Sequence, residues 1–257
     1  MAAAGRVCCL ALDVDGTLTI SRTGFRLDLG LVEALRLVAG EVPVILVTGN
    51  SLPVAAGLAR YLDIRHPVVA ENGCLVYHAG RIIHVCRRST RGAAKLLSEK
   101  LKGLLEPSWQ NRFRVYDYAF TVRRGVSPRE VIAEARRLLD ANGYSWVRLG
   151  FSGYALHTKP PEASKARGLQ TAMRLRGCRP GCTLAVGDSV LDAEMSEAGV
   201  HLAAVSNADP GLKHIADLVS CGPSSQGVAA LLMMLGMPAP SGAGRECIAS
   251  LAGHDPS

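Results

Sequence analysis

The sequence predicts an α/β fold: a parallel sheet with helices on both faces, interrupted by a smaller inserted α+β unit. Three observations carry this. Short apolar, β-rich runs recur near the N-terminus, each followed by a segment of helical spacing. The runs are continuous rather than alternating, which marks strands buried on both faces. The rhythm stops near residue 81 and resumes near residue 160.

Val7 to Val14 reads as the first buried strand, and it ends in acidic residues. Leu27 to Ala39 has helical spacing through Leu31, Leu35 and Val38, with Gly40 as its stop. Val42 to Val47 is a second strand, running into Thr48, Gly49 and Asn50. Ser51 to Leu62 is a helix that tolerates Pro53 in its first turn. Pro67 to Ala70 is a third strand.

The pattern then changes. Leu75 to Val85 reads as a hairpin turning at Ala79-Gly80. Ala93 to Leu105 is a helix, and Phe113 to Val122 alternates as a strand does. Ser127-Pro128-Arg129-Glu130 has the form of a capping box opening a helix that Asn142-Gly143 closes. Two short strands follow, near Trp146 to Leu149 and Tyr154 to Thr158. The first rhythm returns with a helix from Ser164, a strand from Thr183 to Val186 and a helix from Val190 to Glu197. Leu202 to Val205 and Leu218 to Ser220 read as short strands, and Gln226 to Leu235 as the last helix. The expected organisation is a discontinuous core, 1–81 plus 160–257, with an inserted unit at 82–159. After about residue 238 the chain is rich in Pro, Gly, Ser and Ala and reads as a disordered tail.

The 257 residues are 48% apolar, enough for a sizeable core, and carry a formal charge of +7. That balance suits an anionic partner, but the arginines are scattered in short pairs with no basic block, so a solvated surface accounts for them. Eight cysteines lack any finger or CxxC spacing. They read as thiols in a reducing compartment; a Cys178–Cys182 disulfide is allowed but has no support in the sequence. The apolar run before Asp13 is too short for a signal peptide, and no stretch is long enough to span a bilayer. The expectation is a cytoplasmic protein with no membrane and no nucleic-acid partner. The oligomeric state stays open, a homodimer included.

Four features at strand and helix ends carry chemistry. Asp13 and Asp15, two apart in extended chain, share a direction, and Gly16 allows a sharp turn. One carboxylate suits nucleophilic attack and the other proton transfer. Alone, the pair also fits a polar turn. Asp188 and Asp192 lie four apart after a strand, a spacing that suits hard-oxygen ligation of Mg2+ and equally an acid-decorated helix start. Thr48, Gly49 and Asn50 before a helix suit phosphate, or an ordinary N-cap. Lys165 at a helix start opposes the helix dipole, which a bound phosphate explains and a solvated lysine also allows.

Taken in order, Asp13-Val14-Asp15-Gly16-Thr17, Thr48, Lys165 and Gly187-Asp188-Ser189 with Asp192 resemble the haloacid dehalogenase superfamily of phosphohydrolases. Thr48-Gly49-Asn50, Glu71-Asn72-Gly73, Gly187 to Met195 and Asn207-Ala208-Asp209-Pro210 resemble the archaeal phosphoglycolate phosphatases, of the sucrose-phosphatase-like and Cof-type branch. The resemblance implies a Rossmann-like core with an α+β cap inserted between the Thr and Lys motifs. It implies Asp13 as the nucleophile forming an aspartyl-phosphate, and Asp15 as general acid and base. Thr48 and Lys165 would hold the phosphoryl group. Asp13, Asp15 through its backbone carbonyl, Asp188 and Asp192 would hold Mg2+. The implied substrate is a small phosphorylated metabolite, 2-phosphoglycolate first. A sugar-phosphate phosphatase, a phosphohexose mutase and a non-catalytic nucleic-acid binder are the alternatives. His157, in a cap strand beside the junction, could touch substrate but reads as a structural or surface histidine. Arg112, Arg114, Tyr116 and Arg148 are cap residues that could meet a substrate carboxylate, for which Arg suits a bidentate contact, but nothing in the sequence aims them at the site.

Overall fold

The computed structural model describes residues 7–241. The first part runs β1 (Cys9–Leu12), α1 (Leu29–Glu41), β2 (Val44–Val47), α2 (Leu52–Tyr61), β3 (Val68–Ala70), β4 (Leu75–His78) and β5 (Arg81–His84). The middle part runs α3 (Arg91–Lys100), β6 (Leu105–Pro107), β7 (Tyr118–Val122), α4 (Pro128–Ala141), β8 (Arg148–Phe151) and β9 (Ala155–Lys159). The last part runs α5 (Lys165–Arg176), β10 (Thr183–Gly187), a 3₁₀ helix Val190–Ala198, β11 (His201–Ala204), α6 (Pro210–Ile215), β12 (Leu218–Val219) and α7 (Ser224–Met234).

The strands form two sheets. The larger has the order β12-β11-β10-β1-β2-β3-β4-β5, parallel from β12 to β3 and antiparallel at the β4–β5 edge. Its central strands are apolar on both faces. Leu10, Leu12, Ile45 and Leu46 are fully buried, each contributing roughly 1.5–3 kcal/mol relative to exposure. The smaller sheet, β6-β7-β9-β8, is antiparallel throughout and has its own core around Leu97, Phe120, Leu139 and Leu156. The fold is therefore α/β with a parallel-strand core and an α+β cap.

The topology locates the crevice. After β1 the chain builds outward through β2 and β3, then returns to place β10 on the other side of β1. Ligands in open α/β sheets bind where the strand order reverses, at the carboxyl ends. In register, Leu12 lies beside both Val186 and Leu46. The residues after these three strands, Asp13, Asp188 and Thr48, thus emerge side by side.

Several local expectations need correction. The strand foreseen from Phe113 starts only at Tyr118, because the backbone amides of Val115, Tyr116 and Asp117 donate to the Glu71 carboxylate instead of a ladder. Helix α1 passes through Gly40 and ends at Glu41. Ser127 caps α4 with no side-chain hydrogen bond, so the capping box there is not formed, while a true one forms between Ser189 and Asp192. The segment after Ser189 is 3₁₀ rather than α.

The cysteines also differ from expectation. Cys8 bonds to Cys182 and Cys74 to Cys86, with Cα atoms 5.3 and 4.7 Å apart, whereas Cys9 and Cys178 are free. A separation of 174 residues hides the first pair from any spacing argument. Cys178 is therefore not bonded to Cys182. Ala239 packs against the core, and the expected disordered tail otherwise lies outside the described residues from 242 onward. Among the described residues, no helix is long and apolar enough to cross a membrane.

Candidate active site

Asp13 leaves β1 with its amide bonded to the Val186 carbonyl at 3.0 Å, which ties it to β10. Its carboxylate is buried and accepts from Lys165 Nζ at 2.7 Å. Lys165 also donates to Asp192. A lysine at the first position of α5 is thus explained by two carboxylates that outweigh the helix dipole.

The start of α5 is set by Gly73. Its φ is +94°, and a Cβ there would overlap the Ser164 carbonyl. Only glycine permits this approach, which seats α5 on the Glu71–Gly73 turn and delivers Lys165 to Asp13. Gly16 plays the same part on the other side: its φ is +86°, and a Cβ would overlap the Asp188 carboxylate.

Carboxylate oxygens of Asp13, Asp188 and Asp192 lie within 4.8 Å of one another. Asp192 is held by Ser189, whose amide and hydroxyl each donate to it at 2.9 Å. Asp188 accepts from Arg22 Nε at 2.6 Å, and Arg22 also reaches Asp209 at 2.9 Å. The Asp15 carboxylate lies outside the trio. It accepts from Asn50 Nδ2 at 2.6 Å, and Asn50 also donates to Thr48 Oγ1 at 3.1 Å.

Electrostatics follow from burial. Desolvation and the neighbouring Asp192 push Asp13 well above the usual carboxylate range, with Lys165 pulling against them. Asp188 is pushed up to about 6 by burial and by Asp192, with Arg22 opposing. Burial also raises Asp15, partly offset by the Asn50 hydrogen bond. Burial opposes the charge on Lys165, but Asp13 and Asp192 outweigh it and keep it an ammonium. Lys165, and Arg22 which is shared with Asp209, leave the three crowded carboxylates short of positive charge. Such a donor set, all hard oxygen, fits a divalent cation.

The turn after β2 differs from a free anion cradle. The Asn50 amide folds back onto Thr48 Oγ1 at 3.1 Å, and the Ser51 amide at the start of α2 donates to Gln110 Oε1 at 2.7 Å. Gln110 Nε2 also donates to Asn50 Oδ1 at 2.7 Å. Gln110 belongs to the cap, so this side chain links the cap to the residue that holds Asp15.

Two further carboxylates join the units. Glu71 accepts from the amides of Val115, Tyr116 and Asp117 at 3.0, 2.8 and 3.2 Å. Glu194 accepts from Lys159 Nζ at 2.8 Å and from the Lys165 amide at 3.0 Å. Between the units lies a cavity of about 360 Å³, lined below by Asp13, Asp15, Thr48, Asn50, Lys165 and Asp188 and above by Trp109, Gln110, Arg114 and His157. The sequence-based candidates therefore all border one space or its acidic floor. Arg22, Gln110 and Glu194 were missed, because their roles arise from long-range docking. Glu71-Asn72-Gly73 stood out in sequence, but without a task.

The haloacid dehalogenase-like hydrolase family model matches residues 10–121 and 126–232. The chain belongs to that family. It is 37% identical over 222 residues to a phosphoglycolate phosphatase of Staphylothermus marinus, covering 85% of this chain and 93% of that one. It is 40% identical over 229 residues to the phosphoglycolate phosphatase of Metallosphaera sedula, covering 88% and 97%. The fold is shared with the crystal structure of Thermoplasma acidophilum 0175, at TM-score 0.75, 24% identity and coverage of 90% and 99%. It is also shared with the Synechocystis sucrose-phosphatase structure, at TM-score 0.70, 19% identity and coverage of 91% and 99%. Within its family the chain is a phosphomonoester hydrolase.

Proposed function

We propose that this hydrolase is Mg2+-dependent and cleaves 2-phosphoglycolate to glycolate and phosphate through an aspartyl-phosphate on Asp13. The observation that carries the reading is the pairing of Asp13 with Lys165 inside a carboxylate cluster, with Asp15 held apart on Asn50. The substrate is argued from the names of the relatives above. In this reading the catalytic unit is 1–81 with 160–257, carried on to His84 by the pairing of β5 with β4, and the following residues to 159 form the cap.

Asp13, Asp188 and Asp192, with the Asp15 carbonyl, would hold Mg2+. Bound there, the ion supplies charge neutralisation for the phosphoryl group and for the crowded carboxylates. The residues do the rest. Asp13 attacks phosphorus while the bond to the leaving oxygen breaks. Asp15, raised by burial, is suited to carry the proton that the leaving oxygen takes. In the second half Asp15 accepts a proton from water, the water oxygen bonds to phosphorus, and the bond to Asp13 breaks. Lys165 and Thr48 hold the phosphoryl oxygens. Phosphoryl transfer depends mainly on such positioning and electrostatics.

The test is phosphate release from 2-phosphoglycolate and a panel of sugar phosphates, with Mg2+ and with EDTA, for the wild type and Asp13→Asn. The reading requires Mg2+-dependent release from phosphoglycolate that Asp13→Asn abolishes. Release from hexose phosphates alone would move the substrate to the sugar-phosphate class.

A further inference from the structure

We infer that Arg114 is the specificity residue that reads the carboxylate of the substrate, positioned by Asp117 and standing beside His157. The inference rests on the phosphoglycolate reading above and names the group that recognises its non-reacting end.

Arg114 lines the cavity but is only 3% exposed. Its segment, just after a 3₁₀ turn at Trp109–Arg112, has no regular structure of its own. It is pinned from the catalytic unit, because the Glu71 carboxylate takes the next three amides in the chain. Charge-assisted bonds of this kind are among the stronger ones a protein makes. The same turn contributes Asn72, whose Nδ2 donates to Asp117 at 2.7 Å.

The guanidinium at the end of this arrangement is underused. Nη1 makes two long contacts with Asp117, at 3.3 Å to its carbonyl and 3.4 Å to its carboxylate, and Nε is buried without a partner. A guanidinium carries five donors, and a buried donor left unpaired is unfavourable. Asp117 cannot satisfy it, because its carboxylate also serves Asn72 and accepts from His157 Nδ1 at 2.9 Å. The fork therefore has donors to spare for an anion.

That anion belongs to the substrate. His157 stands over the turn after β2, where a Cβ added to Gly49 would lie 3.4 Å from its Cε1. The Arg114–Asp117–His157 group thereby borders the floor that would hold the phosphoryl group, and Arg114 and His157 both line the cavity. Arg114 and Asp15 line the same cavity of about 360 Å³, so one small molecule can meet both. A planar fork matches a carboxylate bidentately, which an ammonium does not.

The experiment compares kcat/KM for 2-phosphoglycolate with that for ethyl phosphate, which has a methyl group in place of the carboxylate. Arg114→Gln is expected to lower the phosphoglycolate value on the order of 10²-fold and leave ethyl phosphate within about threefold. Arg114→Lys, which keeps the buried charge but loses the fork, should show about a tenfold loss on phosphoglycolate alone. Equal losses on both esters, or an unchanged phosphoglycolate value, would overturn the inference while leaving the phosphatase reading intact. A wild type that leaves phosphoglycolate untouched but cleaves other esters removes the substrate reading and this inference together.

Discussion

Consider Asp188→Asn in protein freed of metal by EDTA. Asp188 rises from 3.8 to about 6 on folding, because burial and Asp192 disfavour its charge more than Arg22 supports it. For a carboxyl raised by folding, the unfolded chain releases its proton first as pH increases. Native stability is therefore lost as pH climbs from the unfolded value through about 6, and the full cost is present above that. At 1.36 kcal/mol per pH unit, the cost is about 3 kcal/mol, and about 2 kcal/mol of it falls between about pH 4.5 and about pH 7.5. Asparagine has no proton to lose and is free of this dependence. The assay is urea unfolding of oxidised wild type and variant across that range. The variant should gain on the wild type steadily with pH, while losing phosphatase activity. Saturating Mg2+ should close the gap, since a ligand at 100 times its Kd stabilises the wild type by about 2.7 kcal/mol. Parallel stability curves over the whole pH range would refute the electrostatic argument for the cluster.

Three other outcomes follow from the structure. Gly73→Ala places a Cβ against the Ser164 carbonyl at a φ of +94°, and should cost on the order of 3 kcal/mol in thermal or urea unfolding and lower kcat by shifting Lys165. Reduction with dithiothreitol should destabilise the protein, by about 5 kcal/mol for the Cys8–Cys182 loop and about 3 kcal/mol for Cys74–Cys86 in the chain-entropy model, read by unfolding of single-pair serine variants. Gln110→Ala leaves the Ser51 amide and Asn50 Oδ1 without their partner, and should cost about 1 kcal/mol of stability. Because Asn50 holds Asp15, it should also lower kcat more than it changes KM, as steady-state kinetics will show.

What was legible in sequence was whatever depends on a strand and its next residue. β1, β2 and β10 are continuous apolar runs, so their ends could be read, and with them the gathering of Asp13, Thr48 and Asp188. Lys165 was legible as an anomaly, a cation at the wrong end of a helix. The rest depended on contacts between distant segments. Phe113 to Val122 alternates as a strand should, yet Glu71 captures three of its amides and delays β7 to Tyr118. The glutamate of the supposed capping box, Glu130, has no such task, while Asp192 has both a cap and a lysine. Cys8 and Cys182 are distant in sequence but neighbours just before the starts of the paired strands β1 and β10. Gln110 looks like an ordinary polar cap residue, and Arg114 like one of several cap arginines that could meet a carboxylate, until the cap is docked.

The Glu71 tether has a further consequence. A cap that swung fully clear would have to give up three amide bonds to the Glu71 carboxylate, so a wide swing is disfavoured. Traffic into the cavity then has to pass through its existing opening, among whose lining residues Trp109 and Tyr154 are exposed. Under such an arrangement the width of the doorway is fixed by these side chains and not by the spread of the two halves. For a small ester, turnover would be paced by bond-making at Asp13 and not by the diffusion of one half of the molecule away from the other.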